Sequence, residues 1–97
     1  MSFIQIVEFR TDDIDQVNAL QGEWERATEG KRTSQRSILT KDRNDPGRYL
    51  AIVFFDTYEE AMANSNLPET QEFAAKLGAV VTDRPNFHDL DVLDERS

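Results

Sequence analysis

Few side chains in this 97-residue sequence are equipped for chemistry. His88 is the one histidine, and histidine is the side chain whose ordinary pKa lies nearest neutrality. Facing a pocket, it could take a proton from an acidic O–H. Facing solvent from an edge strand, it would only hydrogen-bond to its neighbours. Trp24 is the one tryptophan. It is either a core residue with its N–H on an oxygen acceptor, or a pocket wall that stacks on a flat ligand. Arg36 sits in a strand-like stretch, where it could pair with Asp89 or Asp91 or meet a ligand.

Much chemistry is excluded by what is missing. There is no cysteine, which removes disulfides, thiolate-bound metal, iron–sulfur clusters and thiol catalysis. One histidine and scattered acids make no metal site. Asp12-Asp13-Ile14-Asp15 lacks the glycine and closing glutamate of a calcium loop. The four glycines are dispersed, so no phosphate-cradling loop is expected, and no nucleophile elbow is present. Oxygen chemistry here would have to proceed without a cofactor.

The formal net charge of −8 disfavours nucleic acid and anionic membrane as partners. Residues 31–48 run against that balance, with Lys31, Arg32, Arg36, Lys41, Arg43 and Arg48 set against Asp42 and Asp45. This basic segment is either a solvated hairpin edge or a lip that guides an anionic ligand. No apolar run approaches a membrane span, and Phe3-Ile4-Gln5-Ile6-Val7 follows the start with no basic lead-in. A cytoplasmic protein of one domain, residues 1–97, is expected.

The elements that must position these residues follow from periodicity. Phe3 to Arg10 reads as a first strand. Asp12, Asp13 and Asp15 open a helix, whose stripe of Ile14, Val17, Leu20, Trp24 and Ala27 is expected to be buried. Gly30 is expected to end that helix. Thr33 to Lys41 reads as a polar strand. Asn44-Asp45-Pro46-Gly47 has Pro before Gly, the order of a type II turn, closing a hairpin onto a strand over 49–55. Thr57 and Glu60 have capping-box spacing ahead of a helix expected to bury Tyr58, Ala61 and Met62. Pro68 breaks that helix. Asn66 is expected to cap the second piece, which carries Phe73, Ala74 and Leu77 and should end at Gly78. Asn86 to Leu93 alternates as a last strand.

The order β-α-β-β-α-β predicts an α+β, ferredoxin-like fold: a four-stranded antiparallel sheet in the order 4-1-3-2, with helices on one face. Tyr49, Ala51, Val53 and Phe55 share one face of the third strand, and Leu50, Ile52 and Phe54 share the other. Both faces are apolar, and a chain this short can cover only one with its own helices. A homodimer through the second face is therefore expected.

Taken whole, the chain resembles the antibiotic-biosynthesis-monooxygenase-like proteins of the dimeric α/β-barrel superfamily. The resemblance lies in element order, in Phe54-Phe55-Asp56-Thr57-Tyr58-Glu59-Glu60-Ala61, and in Pro68 to Phe73 of the broken helix. It implies two sheets back to back in a homodimer and a pocket between each sheet and its helices. Several such proteins oxidise phenols, quinols or anthrones with oxygen and no cofactor. Many carry histidines along the broken helix where this chain has Asn64 and Glu69. The haem-degrading branch needs a helical histidine ligand, which this chain lacks, so haem degradation is disfavoured.

On that resemblance, His88 is the candidate base and Asn64 the candidate polariser, its amide orienting a carbonyl or oxygen species. Trp24, Phe54 and Arg36 are the candidate substrate contacts. The expected function is cofactor-independent oxygenation of a small aromatic. Two alternatives stay open: a non-catalytic ligand-binding or accessory homodimer, and an isomerase or cyclase acting on a polyketide-like substrate.

Overall fold

The computed structural model describes residues 2–96. In chain order these form β1 (Phe3–Arg10), α1 (Ile14–Ala27), β2 (Arg36–Lys41), β3 (Arg48–Phe55), α2 (Tyr58–Ser65), α3 (Pro68–Val80) and β4 (Asn86–Asp91). The sheet is antiparallel, in the order β2-β3-β1-β4. The two most apolar strands are central and the two most polar ones lie at the edges, as the ferredoxin-like reading requires.

Local signals set most element ends. Asp13 caps α1 by accepting from the Gln16 N–H, and Thr57 caps α2 by accepting from the Glu60 N–H. Gly47 has φ of 91°, and the Arg48 N–H donates to the Asp45 carbonyl at 3.1 Å, which makes the β2–β3 turn type II. Other ends depart from expectation. Helix α1 stops at Ala27, where Thr28 turns its hydroxyl onto the Trp24 carbonyl; Gly30, at φ of 82°, serves the following turn. Asn66 closes α2 instead of opening α3, which begins at Pro68 after an uncapped Leu67. A proline at the first helical position needs no N–H partner. Gly78 does not end α3, which runs on to Val80. Ala27 and Tyr58 are exposed rather than buried.

Register fixes the faces. Gln5, Val7 and Phe9 of β1 stand beside Val53, Ala51 and Tyr49 of β3, on the side covered by helices. The other side carries Ile38, Ile52, Ile6 and His88 in one row, and Arg36, Phe54, Ile4 and Leu90 in the next. No element among the described residues covers that second side.

The core is in two pieces. Phe3, Phe55 and Ala61 form one, with Val53 and Met62 against it. Phe9, Val17 and Leu77 form the other, with Val7, Ala51 and Phe73 among the residues packed on it.

Candidate functional site

A cavity of about 320 Å³ lies between the two core pieces. Its floor is the helix side of the sheet: Val7 and Phe9 from β1, and Ala51, Val53 and Phe55 from β3. Its roof is α1 and α3, through Val17, Trp24, Phe73 and Leu77. Polar groups enter from Gln5, Asn18, Gln21, Ser34, Ser37, Asn64 and Thr70, and Glu25 is its one ionisable lining side chain. Apolar walls with a few amides and hydroxyls suit a small, largely apolar, oxygen-bearing molecule. A second hollow of about 30 Å³, on the outer side of α1 and α3, has room for little more than water.

Two of the expected site residues line the cavity. The Trp24 indole N–H donates to the Thr70 hydroxyl at 2.9 Å, joining α1 to α3. Its ring lies 6.3 Å from Phe73, and the Arg32 guanidinium stands 5.5 Å from its centre. Trp24 is thus both packed and a wall. Asn64, 7% exposed, is buried at the end of α2. Its Oδ1 accepts from the Thr33 N–H at 3.5 Å, while the Thr33 hydroxyl donates to the Glu60 carbonyl at 2.6 Å.

The other three lie elsewhere. His88 is paired with Ile6 and faces the uncovered side, where its Nε2 lies 3.4 Å from Glu8 Oε1. The idea of His88 as a base within the cavity is corrected by this register: a strand residue of the wrong parity cannot reach through the sheet. Phe54 and Arg36 are paired on the same uncovered side, with the guanidinium 5.1 Å from the ring centre. Neither lines the cavity. Arg36 also cannot meet Asp89 or Asp91, because β2 and β4 are opposite edges of the sheet.

Gln5 and Thr70 also line the cavity, and the sequence marks them weakly at best. Gln5 shares parity with Val7 and Phe9, and that alternation was the available signal. Thr70 had none, because its role depends on how α3 meets α1.

Charge is organised away from the cavity. Arg48 Nε donates to Glu8 at 3.0 Å, and its Nη1 donates to Asp42 at 2.7 Å. Arg48, and then His88, hold the Glu8 carboxyl below the usual range. At the roof, Lys31 reaches Glu69 at 2.6 Å and lowers its carboxyl in turn. Within the basic segment, Lys31 and Arg48 are thus held in ion pairs, while Arg32 and Arg36 stand over the Trp24 and Phe54 rings. Among the described residues, no three groups of metal-ligating type come together.

This fold is that of solved structures named as antibiotic biosynthesis monooxygenases, as the sequence resemblance implies. SnoaB, a cofactor-independent oxygenase from Streptomyces nogalater, superposes with a TM-score of 0.81 at 13% identity, covering 97% of this chain and 95% of that one. Rv0793 from Mycobacterium tuberculosis matches with a TM-score of 0.81 at 17% identity, over 100% of both chains. A crystal structure of an antibiotic biosynthesis monooxygenase gives a TM-score of 0.75 at 17% identity, over 97% of this chain and 100% of that one. No family model matches the sequence, and no curated protein does. At such identities the likeness establishes the fold.

Proposed function

We propose that this chain is a cofactor-independent oxygenase for a small phenol, quinol or anthrone-like substrate bound in the cavity. The observation that carries the reading is the cavity itself, roofed by Trp24 and Phe73 and supplied with the Asn64 carboxamide. The fold it shares with a cofactor-independent oxygenase supports it. In an anthrone-like ring the reacting CH2 loses a proton, and the resulting carbanion passes electrons to oxygen. A C–O bond forms as a hydroperoxide, and loss of water leaves a carbonyl. The balance is one CH2 and one O2 giving one C=O and one H2O. The protein's part is to orient the ring, exclude bulk water and donate a hydrogen bond to the anionic oxygen. With His88 outside the cavity, the substrate must be acidic enough to release its proton to water or to Glu25.

The same observation about His88 favours a second reading, a non-catalytic ligand-binding homodimer. In both readings the uncovered sheet face, with Ile4, Ile6, Ile38, Ile52 and Phe54, pairs with a second copy in a cytoplasmic homodimer. No helix among the described residues is long and apolar enough to cross a membrane.

Oxygen uptake with an anthrone separates the readings. An oxygenase consumes one O2 per substrate oxidised at a CH2. A binder shifts the melting temperature and leaves the ligand unchanged. An isomerase or cyclase converts its substrate with no oxygen uptake.

A further inference from the structure

Of the four carboxamides that line the cavity, Gln5 and Asn64 are oriented by partners outside it, and in opposite senses. Asn64 meets the backbone N–H of Thr33. That group can only donate, so the Asn64 oxygen must face it and the NH2 is left for the cavity. Gln5 meets Asp89, with Nε2 donating to Oδ1 at 3.1 Å. A carboxylate can only accept, so the Gln5 NH2 must face it and the Oε1 is turned the other way. Neither assignment depends on telling nitrogen from oxygen in the side chain, because the chemistry of each outside partner decides it.

We infer that the cavity has a built-in polarity, Asn64 turning its NH2 and Gln5 its Oε1 towards the ligand, and that it selects a ring bearing both a carbonyl or phenolate oxygen and a separate free hydroxyl. Asn64 and Gln5 are specificity residues that touch the ligand. Thr33 and Asp89 are positioning residues that act through them. A ligand with its hydroxyl capped has no donor for the Gln5 oxygen and forfeits that hydrogen bond. The inference rests on the cavity holding an oxygen-bearing ring, as proposed above, but not on that ring being oxidised.

The test is a binding comparison between 2-hydroxyanthraquinone and its methyl ether, 2-methoxyanthraquinone, read by quenching of the single tryptophan, Trp24. The hydroxy probe is expected to bind about tenfold more tightly, the size of one hydrogen bond. Asn64→Asp puts an acceptor where the carbonyl needs a donor, and should weaken both probes about tenfold or more. Asp89→Asn is the positioning test. Asparagine can donate to the Gln5 oxygen, so the Gln5 amide is free to turn, and the preference should fall towards unity with no loss of folding. A merely structural role for Asp89 would not move that ratio, and Asp89→Glu should restore it. Equal affinities in the parent protein, an unchanged ratio in Asp89→Asn, or no quenching by either probe would overturn the inference. A clear preference without oxygen uptake from any quinol would leave it standing and remove the oxygenase reading instead.

Discussion

His88 and Glu8 are diagonal neighbours on adjacent strands, their side chains 3.4 Å apart on the side of the sheet that the helices leave uncovered. The one histidine of the chain is therefore joined to an ionic cluster with Arg48 and Asp42. The cavity lies on the other side of the sheet.

His88→Ala should accordingly leave ligand affinity and any oxygen uptake within about twofold of the parent, as expected for a surface change remote from a site. A loss of tenfold or more in steady-state uptake, with association unchanged, would return His88 to the catalytic machinery.

The same cluster sets a pH dependence. The Glu8 carboxyl lies below its ordinary value of 4.5, chiefly through the hydrogen bond from Arg48 and then that from His88. Asp42 lies below 3.8, chiefly through the Asn44 N–H and then Arg48. A carboxyl depressed in the folded state stabilises the fold fully above its ordinary value. That stability drains away as pH falls through the lower folded value. Stability should thus decline below about pH 5, and Glu8→Gln should flatten the decline. Urea unfolding from pH 7 to 3 measures it. Molar salt should shrink the difference, because these groups are partly exposed.

Asn64→Ala should lower kcat on a productive substrate by about a hundredfold, the usual effect of deleting an oriented donor to a developing oxyanion. A purely structural asparagine would cost only roughly 1–2 kcal/mol in stability and leave kcat intact. Turnover and denaturation measured on the same preparation distinguish the two.

Thr70→Val removes the hydroxyl that accepts from Trp24 and leaves the shape. Loss of that bond should cost about 1 kcal/mol, or roughly 4–8 °C in Tm for a domain this size. The fluorescence of Trp24 should change with it. An unaltered Tm would mean that the indole N–H finds another acceptor.

Association can be tested from both faces of one strand. Ile52 lies on the uncovered side between Ile6 and Ile38, and Val53 lines the cavity. Ile52→Asp should dissociate a homodimer, since a charge buried in an apolar interface has no partner. Val53→Asp should spare the dimer and abolish ligand binding. Native mass spectrometry of both variants reads the outcome, and the back-to-back dimer fails if Ile52→Asp associates as the parent does.

The fold was legible because the uncharged run of aromatic and branched residues in β3 and the Pro46-Gly47 turn are local signals that tertiary structure had no reason to override. The site was legible only in part. Trp24 lay on the helical stripe, and a stripe must face the sheet. His88 and Phe54 also sat on strands, but strand parity defines two faces without saying which one the helices cover. That choice is made by the register of β4 and β3 against β1. Gln5, with the right parity from the start, drew no notice because a lone glutamine carries no chemical signature.

The division of the core into two pieces has a consequence for motion. Phe55 and Ala61 tie α2 to one piece, while Val17 and Leu77 tie α1 and α3 to the other. With the cavity vacant, the amides of α2 should open and exchange with solvent independently of those in α1 and α3. A bound ring touches both pieces at once. It would act as the missing keystone, and the two exchange rates should draw together.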